Sequence, residues 1–296
     1  MHAARKRVTA LGRIATLLSC LFATTLLHAQ TFTFTAIPDQ DETRLTERFG
    51  KVADYLSKVL GAEVKYIPVK SYPAAISAFR NNQVQLAWFG GLSGVQARNL
   101  VPGSEAIAQG AEDTAFKSYI IVNTSTGLKP TGQFPEGIAG KSFTFGSKGS
   151  TSGRLMPEFY IRQFFKKAPE AIFSRVGFSG DHSRTIALVQ SGAYEIGVLN
   201  YAVWDDELKL GKIDTSKVQV IWETPTYPDY QWSIRGDVDS VWGNGFKQKV
   251  QKALLEMKDP ALLQAFPRSA FVPAQNSDYA PIEKTAVSLG IMDEIM

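Results

Sequence analysis

The sequence holds a single cysteine, Cys20, and three histidines, His2, His28 and His182, in 296 residues. One cysteine cannot close a disulfide within the chain. Charge of one sign is scarce too. There are 32 Lys and Arg against 28 Asp and Glu, but Arg5, Lys6, Arg7 and Arg13 precede residue 30 and no acidic residue does. Beyond that point the balance is 28 against 28, so the basic pI of about 9.0 belongs mostly to the first residues. A Lys/Arg stripe of the kind that tracks a nucleic acid is therefore missing. Low-complexity tracts and repeats of fixed period are absent as well, and 44% hydrophobic residues make an ordinary globular composition.

A long apolar run occurs once, at 14–27, behind the basic cluster and ahead of His28-Ala29. This reads as a secretory signal over 1–29, cut between Ala29 and Gln30, too short and wrongly flanked for a membrane anchor. A lipoprotein signal ending at Leu17-Leu18-Ser19-Cys20 is the alternative, and it fits less well because the apolar run continues past Cys20. Either way the expected location is periplasmic. After the cut neither Cys20 nor two of the histidines remain, so counting excludes a multi-histidine metal site. The remaining 267 residues (296 − 29) suit one large or two modest domains.

Strands and helices alternate along that length. TFTFTAIP (31–38) reads as a strand. A helix follows over 42–60, with Leu45, Phe49, Val52, Leu56 and Val59 at helical spacing and Gly61 as its stop. AEVKYIPV (62–69) and QLAWF (85–89) read as strands, 72–81 and 92–100 as helices, and EAIAQG and KSYIIVN as two further strands. This alternation predicts an α/β protein with parallel sheets. The Gly-, Pro- and Thr-rich stretch at 123–140 predicts a crossing into a second lobe, and KVQVIWETPTYPDY (217–230) a return. The expected division is lobe 1 at 30–125 and 226–296, with a mainly helical end, and lobe 2 at 126–225. A cleft between lobes is a usual place for a small ligand.

The stretch FGSKGSTSGRLMPEF (145–159) carries the chemistry. It follows the strand KSFTF and precedes a helix, and helix N-termini offer unpaired N–H groups and a positive dipole end. Ser150, Thr151 and Ser152 add hydroxyls there, and the glycines allow close approach. A single cap would account for one hydroxyl but not for this density. The phosphate-loop pattern fails because Lys148 precedes Gly149 and no Lys follows Gly153, and the glycine spacing does not match GxGxxG. The hydrolase elbow GxSxG is nearly matched, but its centre is Thr151. Asp181 and His182, being adjacent, cannot readily orient each other as a triad requires.

Other residues have plain readings beside functional ones. His182, in SGDHSRTIALV (179–189), falls in the first turn of a helix. It is either an ordinary surface histidine or a donor from a second helix start. Tyr72 opens a helix and by default packs. WFGG (88–91) reads as a buried strand end with a tight turn. Trp204, Trp222 and Trp232 read as core or cleft walls rather than nucleic-acid platforms.

Four stretches together resemble one family: SYPAAISAFRNNQVQLAWFGGLSGVQAR (71–98), FTFGSKGSTSGRLMPEFY (143–160), FSGDHSRTIALVQSG (178–192) and TPTYPDYQW (224–232). They are similar to the periplasmic solute-binding proteins of phosphate/phosphonate/phosphite-type ABC importers, and within these to the subgroup labelled selenate-binding. The resemblance implies a type II periplasmic binding fold, two lobes on a two-crossover hinge, with no catalysis, no cofactor and no metal. It implies oxyanion contacts from Ser150, Thr151, Ser152 and His182. Tyr72 and Phe89 would line the other lobe, and Asp229 would supply an acidic group. Relatives that bind aminoalkyl phosphonates carry a glutamate where this chain has Ala202, so an ammonium tail would lack a partner. Phe89 replaces the family's usual tyrosine. Arsenite capture by thiolate is disfavoured by the lack of a mature cysteine. If Asp229 accepts from the ligand, that ligand carries a proton, as phosphite, phosphate or selenite can, whereas selenate and sulfate would be repelled.

The expected function is thus import of a small oxyanion by a monomeric receptor that delivers it to an ABC permease, with no nucleic acid involved. A sensor presenting the same ligand to a membrane histidine kinase is the alternative. An exported serine-type hydrolase is a remote third.

Overall fold

The computed structural model describes residues 30–294. The leader expected at 1–29, with Cys20 and the cut after Ala29, lies outside the described residues. In chain order the first elements are β1 (Phe32–Ala36), α1 (Glu42–Leu60), β2 (Val64–Tyr66), α2 (Tyr72–Arg80), β3 (Leu86–Phe89), α3 (Gly91–Leu100) and β4 (Glu105–Gly110). There follow β5 (Ser118–Asn123), β6 (Ser142–Phe145), α4 (Met156–Phe165), β7 (Arg175–Phe178), α5 (His182–Gln190), β8 (Ile196–Asn200), α6 (Tyr201–Lys209) and β9 (Val218–Glu223). The chain ends through β10 (Gln231–Ile234), α7 (Val238–Trp242), α8 (Phe246–Leu255), α9 (Pro260–Leu263), β11 (Phe271–Pro273) and α10 (Ala280–Ser288).

Two sheets result, β11-β4-β10-β3-β1-β2 and β7-β6-β8-β5-β9. β5 lies in the second sheet, upstream of the expected crossing at 123–140. The chain therefore passes from one sheet to the other at 111–117 and returns at 224–230. The Gly/Pro-rich stretch is instead a surface connection between β5 and β6, where Gly127 and Gly132 take up φ of 72° and 75°. The two passing segments are tied to each other, Phe116 N donating to Tyr227 O at 2.8 Å and Tyr227 N to Phe116 O at 2.9 Å.

The sheets are mixed rather than parallel. β1 pairs parallel with β2 and β3, and β6 with β7 and β8, through helical crossovers. β10 runs antiparallel to β3 and β4, and β5 to β8 and β9, because these strands enter their sheets directly from the other lobe.

Local signals explain the elements. In α1 the Asp41 carboxylate accepts from Thr43 N and Arg44 N, and Gly61 ends the helix at φ 65°. Leu45, Phe49, Val52 and Leu56 are buried as their spacing predicts, whereas Val59 is 40% exposed and Leu60 takes the inner position. An aromatic core holds the first sheet, with Trp88 centred 5.5 Å from both Trp232 and Tyr230. This core makes rigid the strand ends from which the site residues project.

Candidate functional site

Helix starts from both lobes meet at the cleft. From the first lobe, α3 begins after Gly90, which caps without a side chain. Two of its free N–H groups find partners far away in sequence: Gly91 N donates to Asp229 Oδ1 at 2.8 Å, and Leu92 N to Thr151 Oγ1 at 2.9 Å. The two glycines make this approach possible. A Cβ on Gly90 would lie 3.3 Å from Asp229 Oδ1, and one on Gly91 3.2 Å from Pro228 O and 3.3 Å from Thr151 Oγ1. WFGG is thus a helix-start donor site as well as the turn read from the sequence.

From the second lobe comes the Ser-Thr-Ser turn. Ser150 caps it, its Oγ accepting from Gly153 N at 2.8 Å, and a wide turn over Thr151–Leu155 leads into α4. Ser150 and Thr151 act here as acceptors, so each hydroxyl keeps its proton, with Tyr72 beside Ser150 and Asp229 beside Thr151 as near neighbours. Ser152 Oγ has no partner among the described residues, and neither do Tyr72 OH and Asp229 Oδ2. All three side chains are 1% exposed. Buried polar atoms are paired in the great majority of cases, and of the seven exceptions among the described residues these three belong to residues expected at the site.

The electrostatics separate donors from acceptors. Burial holds the Tyr72 phenol well above its usual range, so it stays a donor. Burial also pushes the Asp229 carboxyl up to about 7, against the pull of the Gly91 N–H. His182 is wholly buried, and burial depresses it to about 3, leaving a neutral ring. The surface reading of His182 is therefore replaced. It starts α5 under the Asp181 cap, which accepts from Arg184 N at 2.7 Å. Its backbone N donates to Asp39 O at 3.0 Å. A Cβ on Gly153 would sit 3.0 Å from its Cε1, so the ring lies against the Ser-Thr-Ser turn. Because Asp181 serves the helix, the Ser-His-Asp arrangement of a hydrolase is not assembled.

Phe89 is the expected site residue that the structure turns to packing. It is buried in the first core, edge-on to Phe79 at 5.6 Å, and offers no polar contact from its side chain. Lys148 and Arg184 are exposed, and Lys148 Nζ rests over the Phe178 ring at 5.3 Å.

Several neighbours escaped the sequence reading. Tyr230 OH donates to Asp39 Oδ2 and accepts from Asn200 Nδ2, both at 2.9 Å. Asp39, in the loop after β1, is pushed up to about 6 by burial, an effect that the Tyr230 hydrogen bond partly offsets. Asp113 and Arg268 form a buried bidentate pair at 2.7 and 2.8 Å. Asp113 O also accepts from Asp229 N at 3.0 Å, which fixes the acidic loop. The one signal for Tyr230 was its place beside Asp229 in TPTYPDY. Asp39 and Asp113 had no local signal. Farther out, Asp206 on α6 meets Arg44 and Arg48 on α1 at 2.8 and 3.2 Å, tying the lobes together.

Two mixed α/β lobes with paired passing segments, facing each other through helix starts and buried orphan donors, define a periplasmic binding fold. The family model for "ABC transporter, phosphonate, periplasmic substrate-binding protein" matches residues 34–279. The chain is 41% identical over 256 residues to "Probable ABC transporter phosphite binding protein PhnD1" of Prochlorococcus marinus (strain MIT 9301), covering 84% of this chain and 86% of the relative. The solved structure of that PhnD1 in complex with methylphosphonate matches with a TM-score of 0.84 and 40% identity, over 89% of this chain and 99% of that one. A binding protein component of an ABC phosphonate transporter from Pseudomonas aeruginosa shares the fold, with a TM-score of 0.78 and 19% identity over 90% of this chain and 88% of that one. The chain belongs to the phosphonate-binding family of periplasmic substrate-binding proteins of ABC transporters. It is a substrate-binding component for import and not an enzyme.

Proposed function

We propose that the chain binds a small, tail-free phosphorus oxyanion of the phosphite or methylphosphonate class, in a form that shares a proton with Asp229. The observation that carries this reading is the set of buried orphans, Tyr72 OH, Ser152 Oγ and Asp229 Oδ2. Two of them are donors to an oxyanion and one is an acceptor, so the set matches an oxyanion with one proton between it and the carboxylate. Ser150, Thr151 and neutral His182 supply further donors at two helix starts. Ala202, 8% exposed on α6, brings no carboxylate of its own to pair with an ammonium tail. The 41% identical relative is named for phosphite, and its structure holds methylphosphonate, in keeping with this class.

In this reading the lobes hinge at 111–117 and 224–230 and close on the ligand. A signal over residues 1–29 exports the chain, and the closed monomer is presented to a membrane permease. The test is a thermal-shift and calorimetric screen of protein freed of carried-over ligand. Its panel is phosphite, methylphosphonate, phosphate, selenite, selenate, sulfate, arsenite and aminoethylphosphonate. A ligand at 100 times its Kd adds about 2.7 kcal/mol. Phosphite and methylphosphonate are expected to stabilise, aminoethylphosphonate, selenate and sulfate to do so weakly or not at all. A full shift with selenate would remove Asp229 from ligand contact, and no shift with any phosphorus oxyanion would overturn the reading.

A further inference from the structure

Both ends of the Tyr230 hydroxyl are committed. Val203 N donates to Asn200 Oδ1 at 2.7 Å, which fixes the Asn200 amide so that its Nδ2 donates to the Tyr230 oxygen. The Tyr230 proton goes the other way, to Asp39 Oδ2 at 2.9 Å. What the Tyr230 oxygen has left is a lone pair, and His182 Nε2 lies 3.5 Å from it. On the far side of the ring, His182 Nδ1 accepts from the N–H of Asn200 at 3.4 Å, a contact longer than a usual hydrogen bond that biases the tautomer without fixing it.

We infer that Asp39 is a positioning residue that, through the Tyr230 hydroxyl, holds His182 as the neutral Nε2–H tautomer and so as a hydrogen-bond donor. The imidazole of a neutral histidine has one donor and one acceptor, and the groups around it decide which nitrogen is which. Without the Asp39 acceptor, the Tyr230 proton must find another acceptor, and His182 Nε2 is the neighbour at hand. That rotation would demand the opposite tautomer, in which the Nε2 lone pair takes the Tyr230 proton, no N–H is left there for an anion, and Nδ1–H points at the Asn200 N–H. Asp39 belongs to the first lobe, Asn200 and His182 to the second, and Tyr230 follows the return passage. The donor at Nε2 is therefore set when the lobes are together. This inference rests on the proposed oxyanion reading only for its effect on affinity, not for the tautomer itself.

His182 is the only histidine beyond residue 29, so its two ring nitrogens give an unambiguous two-bond ¹H–¹⁵N correlation pattern. The measurement uses the exported chain, from residue 30, with and without phosphite. The wild type is expected to show Nε2–H. Asp39→Asn keeps an oxygen acceptor for Tyr230 and is expected to keep both that tautomer and phosphite affinity within a few-fold. Asp39→Ala is expected to bring in the Nδ1–H form and weaken phosphite by roughly tenfold, as loss of one buried hydrogen bond does. A wild type in the Nδ1–H form, or an Asp39→Ala protein that stays wholly Nε2–H, overturns the inference, whatever its affinity. If phosphite fails to bind the wild type while the tautomer responds as described, the function reading falls and the positioning role stands.

Discussion

Replacing Asp229 by Asn tests the centre of the site in two ways at once. The first concerns stability without ligand. Burial raises the Asp229 carboxyl from 3.8 to about 7. An acid whose folded value lies above its unfolded one binds its proton more tightly in the native state. Stability is then highest at acid pH and is lost as pH rises from the unfolded value to the folded one. A difference of about 3 units at 1.36 kcal/mol each makes this loss on the order of 4 kcal/mol between about pH 4 and pH 7. Asp229→Asn removes the titration but keeps an oxygen for the Gly91 N–H. The variant should therefore gain on the wild type as pH rises through that window and hold a constant advantage above it. Urea melts of both proteins at several pH values measure the difference, in which the parallel loss from Asp39 cancels. The second concerns the ligand. An amide N–H in place of the Oδ2 acceptor should weaken phosphite by about 1–3 kcal/mol, roughly 5- to 150-fold, and improve selenate and sulfate relative to it. A stability offset that does not vary with pH would refute the buried, perturbed carboxyl. Equal weakening of every anion would refute direct contact between Asp229 and the ligand.

Other perturbations separate ligand contact from lobe closure. Ser152→Ala and Tyr72→Phe each delete a buried polar atom without a partner, so the ligand-free protein should gain up to about 1–3 kcal/mol while phosphite binding weakens, read by denaturant melts and calorimetry. Asp206→Ala breaks the link from α6 to Arg44 and Arg48 without reaching the ligand. It should weaken every ligand alike, by about 1.5 kcal/mol or more, chiefly through faster release seen by stopped-flow tryptophan fluorescence. A changed order of ligand preference would contradict that role. Gly91→Ala puts a methyl group within 3.2–3.3 Å of Pro228 O and Thr151 Oγ1. Strain of about 1–3 kcal/mol should then appear in ligand affinity more than in the unfolding of the ligand-free protein. An unaltered affinity would show that the α3 start need not approach the Ser-Thr-Ser turn.

The candidate site was legible where its chemistry is local. Ser150, Thr151 and Ser152 stand in a row between a strand and a helix, and the Asp181 cap puts His182 at a helix start. Tyr72, Phe89 and Asp229 came from the resemblance of longer stretches to one family. The crossing was misplaced because Gly and Pro mark turns of any kind, and the stretch at 123–140 is a turn-rich connection inside the second lobe. Val59 was misplaced by one position because a helical stripe read by spacing leaves its rim undefined. Asp39 escaped notice because nothing within a few residues of it carries the chemistry it serves.

Sequence alone determined the alternation of strands and helices and the hydroxyl-rich helix start. Those properties depend on composition or on neighbours within a turn or two. Tertiary structure decided what each hydroxyl and carboxyl does. Gly91 meets Asp229 across 138 residues of chain, Leu92 meets Thr151 across 59, and Tyr230 meets Asp39 across 191. Burial then pushes the Asp229 carboxyl up to about 7 and leaves His182 a neutral ring, because contacts distant in sequence remove both from water.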